Sequence, residues 1–179
     1  MKRTHNFSAG PAVLPVDVVQ ETAAAVLDFN GTGIGIMEIS HRSKEFDAMI
    51  KETQSDLLSI MNLSADEYSV LFLGGGASLQ FLMIPYNFLK TSADYILTGV
   101  WAKKAYEEAA FVGKSHIAAS SKETKFNHIP KTYDFDPNAD YVHITTNNTI
   151  YGTEWKTLPD TGNVPLVADM SSNFLSRPY

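Results

Sequence analysis

Cysteine is absent from the 179-residue chain, and so are long apolar runs. Without cysteine, disulfide bonds, thiolate nucleophiles and cysteine-based metal sites are excluded, and no metal site is expected. Because no stretch of about eighteen apolar residues occurs, the sequence predicts no membrane-spanning helix. The first residues carry charges and no apolar segment follows them, which favours a cytoplasmic protein.

Basic residues are few: the chain has 14 Lys and Arg and 20 Asp and Glu, which gives a net charge of −6. This balance argues against a nucleic-acid partner, because a phosphate backbone attracts clusters of Lys and Arg. Low-complexity tracts are lacking too. Apolar residues make up 44% of the chain, with ten Phe, eight Tyr and two Trp, so the composition predicts a sizeable folded core.

From about residue 68 the chain alternates short apolar runs with helical patterns. Such alternation predicts an α/β fold with a mainly parallel sheet. The expected strands are 68–73, 94–98, 116–119, 140–145 and 164–168, with helices over 77–89 and 102–111. Earlier helices are expected over 18–29, capped by Asp17, and over 43–61. Ligands of parallel sheets bind at the carboxyl ends of the strands, so the candidate site residues are those that follow them.

The segment 74–78, Gly-Gly-Gly-Ala-Ser, lies between an expected strand and an expected helix. Glycine allows a sharp turn and a close approach of a ligand to the backbone. The helix start offers unpaired N–H groups and partial positive charge, so Gly76, Ala77 and Ser78 are candidate phosphate ligands. The segment has neither the Gly-Lys-Ser/Thr of a P-loop nor the third glycine of a dinucleotide site. A tight turn without a ligand explains it equally well.

Asp169 directly follows the apolar run 164–168. A carboxylate at the end of a buried strand needs a partner, and a protonated pyridine nitrogen is one such partner. A metal ion, or the N–H groups of a helix starting at Met170, would satisfy it as well.

Two other strand ends carry residues suited to a flat ring. Trp101 follows the strand 94–98 and could stack on a heteroaromatic ring, although a lone tryptophan more often packs in a core. Thr149 follows the strand 140–145 and could donate to a ring oxygen, although such residues usually serve turns. Taken together with the phosphate cradle and Asp169, they describe a pyridoxal-phosphate site.

His41 and Arg42 lie just before the second expected helix. Arginine binds carboxylate or phosphate groups in bidentate fashion, and a neighbouring histidine adds a second donor. A surface arginine near a helix start is the plain alternative.

Several segments resemble signatures of the phosphoserine aminotransferases, a class-V, fold-type I family of pyridoxal-phosphate enzymes. They span nearly the whole chain, in order: 6–12 (NFSAGPA), 38–43 (EISHRS), 74–81 (GGGASLQF), 98–102 (TGVWA), 148–152 (NTIYG) and 169–172 (DMSS). The resemblance implies an αβα sandwich around a mainly parallel sheet, incomplete in these residues, and a smaller α+β domain to which the N-terminal segment contributes. The implied domains are an arm at 1–15, a small-domain segment with a helical connection at 16–65, and the first part of the cofactor-binding domain at 66–179.

The resemblance also implies roles for the candidate residues. The backbone at Gly76, Ala77 and Ser78 would hold the cofactor phosphate. Trp101 would stack on the ring, Thr149 would contact its phenolic side, and Asp169 would pair with the pyridine nitrogen. His41 and Arg42 would hold an anionic group of the substrate.

The family reaction moves an amino group between L-glutamate and 3-phosphohydroxypyruvate in a homodimer, and a related substrate lies on the route to vitamin B6. The family's Schiff-base lysine is expected beyond Tyr179, so no catalytic residue is expected within the chain, which alone should be inactive. Lys103 and Lys104, on a charged helix face, are not expected to replace it. The alternatives are another fold-type I pyridoxal-phosphate enzyme and a binding module for phosphorylated ligands without catalysis.

Overall fold

The structure, a computed structural model, describes residues 3–8 and 12–178. The chain divides into two compact units, Met1–Leu71 and Phe72–Tyr179. Within the described residues, no helix is both long and apolar enough to cross a membrane.

Two helices form the first unit, α1 (Val16–Leu27) and α2 (Lys44–Ile60). The prediction that Asp17 caps α1 is wrong, because Pro15 holds the cap position and Asp17 lies in the first helical turn. A carboxylate is favourable there too, since it faces the positive end of the helix dipole. α2 is capped by Ser43, whose side chain accepts a hydrogen bond from the Phe46 N–H at 3.2 Å.

The stretch 28–37 folds back against the end of α1. The Ile36 N–H donates to the Ala25 carbonyl at 2.8 Å. At Gly35 an added Cβ would lie 2.2 Å from the Val26 carbonyl oxygen, so only glycine fits this close approach.

The strand expected over 68–73 does not form; these residues have no regular secondary structure. Leu71, Phe72 and Leu73 each expose half or more of their surface. A strand needs a hydrogen-bonded neighbour, and the described residues provide none for this segment. An apolar run predicts burial in a sheet only when its partner strand is present.

The second unit contains the sheet. In chain order its elements are α3 (Gly76–Phe88), β1 (Ala93–Leu97), α4 (Val100–Val112), β2 (Ser115–Ser120), a 3₁₀ turn (Lys122–Thr124), β3 (Val142–Thr145), β4 (Asn147–Asn148), β5 (Thr153–Glu154) and β6 (Leu166–Asp169). Four parallel strands pair in the order β2-β1-β3-β6, and β4 and β5 form a short antiparallel pair. The expected α/β fold with a mainly parallel sheet is confirmed.

Apolar clusters cover both faces of this sheet. One packs α3 and α4 against the strands and includes Phe81, Tyr95, Leu97, Ala105, Ala109 and Tyr141. The other includes Ile96, Val142, Ile144, Trp155 and Val164. All five residues of β1 and all four of β3 are buried, as expected for central strands of a sheet covered on both sides.

Near the amino ends of the strands, aspartate carboxylates accept hydrogen bonds from neighbouring segments. Asp94, fully buried in β1, accepts hydrogen bonds from His116 Nδ1 at 2.8 Å and from the Asp136 N–H at 2.7 Å. Asp140 accepts from the N–H groups of Lys90 and Thr91. Burial raises the pKa of Asp140, but these backbone hydrogen bonds outweigh it and leave the pKa below its usual range.

Candidate active site

The carboxyl ends of β1, β3 and β6 meet beside the start of α3, because the three strands are parallel neighbours. Thr145 at the end of β3 lies opposite Asp169 at the end of β6. A cavity of about 240 Å³ opens at this edge. It is lined by Gly75, Gly76, Ala77, Ser78, Phe81, Trp101, Asn147, Thr149, Asp169, Ser171 and Ser172. All six residues predicted to contact a cofactor are therefore brought together around one space.

The glycine-rich turn forms one end of the cavity. Gly75 has φ +87° and Gly76 has φ +59°, conformations that side chains disfavour. A Cβ at Gly75 would also lie 2.4 Å from the Leu79 side chain. The turn leads into the thirteen-residue α3, whose first N–H groups have no partner within the helix. This end of the cavity therefore carries backbone donors and the positive end of a helix dipole.

Lys104 on α4 lies next to the same turn, whereas the sequence analysis assigned it only to a charged helix face. Its Nζ donates to Ser78 Oγ at 3.2 Å and lies 5.9 Å from the centre of the Trp101 ring. Residues three apart on a helix lie on one face, so the spacing from Trp101 to Lys104 was the signal that could have placed it here.

Asp169 also lines the cavity. It is half-buried, and as the last residue of β6 it belongs to the strand rather than following it. Its Oδ1 accepts hydrogen bonds from the N–H and the hydroxyl of Ser171, at 3.1 and 2.6 Å. Among the described residues nothing donates to its Oδ2, which leaves one carboxylate oxygen able to accept from a ligand.

His143 lies two residues before Thr145 in β3, so the two side chains are on the same face of the sheet. Its ring stacks on Tyr95 at 5.1 Å and meets the edge of Phe81 at 6.1 Å. Burial lowers its pKa to about 4, with Asp169 acting in the opposite direction, so the ring is neutral near pH 7. Neither ring nitrogen has a hydrogen-bond partner in the described part of the chain. Sequence analysis missed His143; a lone polar residue in the middle of an apolar strand was the available signal.

The loops around the cavity are fastened by buried amides and hydroxyls. Asn148 Nδ2 donates to Thr98 Oγ1 at 3.0 Å, which joins the β4 segment to the end of β1. Gly99 sits against this amide, and a Cβ there would lie 2.3 Å from Asn148 Oδ1. Thr146 Oγ1 donates to Asn173 Oδ1 at 2.6 Å. These bonds fix the segment that carries Thr149.

The two expected substrate ligands, His41 and Arg42, are not among the residues that line this cavity. They lie in the first unit, exposed in a turn before α2, and their role as substrate ligands stays a prediction.

Over the described ranges, no group of three or more His, Cys, Asp or Glu side chains is arranged to hold a metal ion.

The residues present fit pyridoxal phosphate. The cavity is lined by an anion-binding helix start at α3, by a carboxylate oxygen of Asp169 that is able to accept a hydrogen bond, and by the indole of Trp101. A phosphate, a protonated ring nitrogen and a flat ring would match these three features.

Comparison with known proteins identifies the family of this chain. The model of the aminotransferase class-V family matches residues 4–179. The chain belongs to the class-V aminotransferase family.

Relatives of this class-V aminotransferase chain include two bacterial phosphoserine aminotransferases. The chain is 54% identical over 176 residues to the one from Bacteroides fragilis and 55% identical over 179 residues to the one from Desulfatibacillum aliphaticivorans. Each comparison covers 98% of this chain and 49% of the relative, so the chain spans about half the length of the relatives it matches.

Solved structures agree with this class-V assignment. Phosphoserine aminotransferase from Bacillus circulans subsp. alkalophilus superposes with a TM-score of 0.94 at 47% identity, covering 99% of this chain and 50% of the other. Pyridoxal-phosphate-bound phosphoserine aminotransferase from Trichomonas vaginalis superposes with a TM-score of 0.88 at 34% identity, covering 98% and 50%.

Proposed function

We propose that the protein is a pyridoxal-phosphate-dependent aminotransferase that converts L-glutamate and 3-phosphohydroxypyruvate into 2-oxoglutarate and O-phospho-L-serine. The observation that carries the proposal is that one cavity is lined both by the N-terminus of α3 and by Asp169. A ligand with a phosphate and a basic ring nitrogen fits this arrangement better than a ligand with phosphate alone. The names of the similar proteins support the choice of substrates.

The chain's own residues would bind and orient the cofactor. Backbone N–H groups at Gly76 and Ala77, with the Ser78 hydroxyl, would hold the phosphate. Trp101 would cover the ring and exclude water from it, while Thr149 would donate to the phenolic oxygen. When bound, pyridoxal phosphate supplies an electron sink for cleaving bonds at the substrate α-carbon.

Asp169 would hold a proton on the pyridine nitrogen. A carboxylate favours the charged form of a hydrogen-bonded cationic neighbour, and Asp169 Oδ2 can accept that hydrogen bond. The neutral ring of His143 adds no competing positive charge near Asp169.

Several parts of the proposal rest on the family resemblance. They are the homodimer, the cytoplasmic location, a second role in vitamin B6 formation, and the binding of a substrate anion by His41 and Arg42. The same holds for the division into 1–15, 16–65 and 66–179. The Schiff-base lysine is likewise expected beyond Tyr179, and the 179-residue polypeptide by itself is expected to lack transaminase activity.

The protein in its natural length provides the test. Added pyridoxal phosphate is expected to produce a visible absorption band that L-glutamate bleaches with release of 2-oxoglutarate. 3-Phosphohydroxypyruvate is then expected to accept the amino group, measured as formation of O-phospho-L-serine. A band with turnover of a different keto acid would favour another fold-type I enzyme. Binding of phosphate-bearing ligands without a visible band or turnover would favour a non-catalytic binding module and would overturn the proposal.

A further inference from the structure

Lys104 connects two walls of the cavity without being among the residues that line it. Its Nζ lies 3.2 Å from Ser78 Oγ, at the anion-binding end, and 5.9 Å from the centre of the Trp101 ring. A cation within about 6 Å of an indole centre is attracted to the face of the ring. Both contacts hold the ammonium group beside the glycine-rich turn.

The neighbouring lysine shows that this placement is specific. Lys103 forms an ion pair with Glu107 one helical turn away. Lys104 forms no ion pair with a carboxylate of the described residues, and its side chain is half-buried. On the same helix, therefore, one lysine has its charge balanced by a glutamate, and the next places its ammonium group against Ser78 and the Trp101 ring.

The charge at this end of the cavity is otherwise small. A helix N-terminus contributes about half a positive charge, whereas a phosphate monoester carries roughly 1.5 to 2 negative charges at pH 7. No lysine or arginine is among the residues lining the cavity in the described part of the chain. The ammonium group of Lys104 would supply positive charge that the helix N-terminus alone does not.

The hydrogen bond to Ser78 also has a direction. An ammonium group has donors only, so Ser78 Oγ must accept from Lys104. The serine hydroxyl hydrogen then points away from Lys104 and is available to donate. Lys104 thereby prepares Ser78 as a donor to an anion at the start of α3.

We propose that Lys104 is a positioning residue for the cofactor phosphate, acting through the Ser78 hydroxyl and through its own charge. The inference rests on the proposed function, because it assumes that the phosphate of pyridoxal phosphate occupies this end of the cavity. It goes beyond that function by naming a cationic residue on α4, Lys104, that stabilises the bound phosphate.

The test compares Lys104→Met with Lys103→Met in the protein of natural length. Dissociation constants for pyridoxal phosphate and for pyridoxal, which lacks the phosphate, are measured by absorbance titration. Lys104→Met is expected to weaken pyridoxal-phosphate binding about tenfold and to leave pyridoxal binding unchanged. Lys103→Met is expected to change neither, and Lys104→Arg is expected to restore most of the affinity.

A double-mutant cycle separates positioning from a general effect on folding. If Lys104 acts through Ser78, the double variant is expected to lose less affinity for pyridoxal phosphate than the product of the fold-losses in Ser78→Ala and Lys104→Met. Wild-type affinity for pyridoxal phosphate in Lys104→Met, or equal losses for pyridoxal and pyridoxal phosphate, would overturn the inference and leave the proposed function standing.

The proposed function can also fail separately. If the wild-type protein shows no visible band with pyridoxal phosphate, that function is wrong, and inorganic phosphate then probes Lys104 directly. Phosphate binding that shifts the ³¹P resonance in wild type and weakens in Lys104→Met would keep Lys104 as an anion-binding residue. Equal binding of phosphate by both proteins would overturn that role too.

Discussion

Polar groups at the amino ends of the parallel strands (the amino edge) and at their carboxyl ends (the carboxyl edge) differ in whether their hydrogen bonds are made. At the amino edge, Asp94 and Asp140 each accept two or more hydrogen bonds from neighbouring segments. At the carboxyl edge, Thr145 Oγ1 and Asn148 Oδ1 are buried without partners in the described residues, and so are both ring nitrogens of the nearby His143.

This difference separates groups that hold the fold from groups that can meet a ligand. A buried polar atom with all its hydrogen bonds made stabilises one arrangement of the chain. A polar atom left able to bond is costly for folding alone, and such atoms gather where a site recognises something else. The carboxyl edge is also where the cavity and Asp169 lie.

The largest expected effect comes from the carboxyl edge. Asp169→Asn keeps the shape and the acceptor for Ser171 but removes the negative charge that would balance a protonated ring nitrogen. In the protein of natural length, kcat for transamination is expected to fall at least about 100-fold with an unchanged unfolding transition. Steady-state kinetics and thermal unfolding measure the two. Near-normal turnover would remove Asp169 from the role proposed for it.

The amino edge should show the opposite behaviour. Asp94→Ala removes the acceptor for His116 Nδ1 and for the Asp136 N–H, and the free energy of unfolding is expected to fall by about 3 kcal/mol. Denaturant titration measures this loss. The dissociation constant for pyridoxal phosphate is expected to stay unchanged wherever the variant is folded.

A matched control for this variant is Asp134→Ala. Its carboxylate is highly exposed and lies 3.9 Å from His116 Nε2, so its removal is expected to cost less than about 0.5 kcal/mol. Equal destabilisation by Asp94→Ala and Asp134→Ala would mean that burial of Asp94 is not what matters. Weaker cofactor binding in Asp94→Ala would mean that the two edges are not independent.

The remaining prediction concerns pH and His143. Burial holds its folded pKa at about 4, below the ordinary value of 6.5, so protonation favours the unfolded chain. Its contribution to stability is complete above pH 6.5 and is lost as the pH falls from 6.5 toward 4. This loss is expected to be on the order of 2 kcal/mol at pH 4.5.

Replacement of His143 tests this expectation. His143→Phe should fold and should show a smaller loss of stability between pH 7 and pH 4.5, measured by denaturant titration at both values. His128→Phe, at an exposed position, should keep the wild-type dependence. If His143→Phe loses as much stability over this range as wild type, titration of His143 is not the cause.

Much of the fold was predictable because its signals are local. The helices and the four strands of the parallel sheet match the prediction within a few residues, since apolar periodicity and glycine turns depend on neighbouring positions. The short pair β4 and β5 was not predicted. The segment 68–73 shows the limit. Its composition is that of a strand, but a strand also needs a partner whose position the local pattern does not contain.

The candidate site likewise contains residues that local sequence patterns predict and residues that they do not. Asp169 could be found because it ends a strand, and parallel strands bring their carboxyl ends together. Gly76 and Ser78 could be found because a glycine-rich turn directly precedes a helix start. Lys104 was left unassigned, because its spacing from Trp101 is visible in the sequence but its contact with Ser78 is not. His143 was missed because nothing local shows that its ring nitrogens lack partners.

The sequence by itself determined the class of fold and predicted the kind of ligand. It did so through residue types whose chemistry is restricted, such as glycine at positive φ and aspartate at a strand end. Only the tertiary structure decided which lysine reaches Ser78 and which carboxylates are already satisfied. Those outcomes depend on distances of a few ångströms between residues far apart in the chain, and hydrogen bonds and charges act only at such distances.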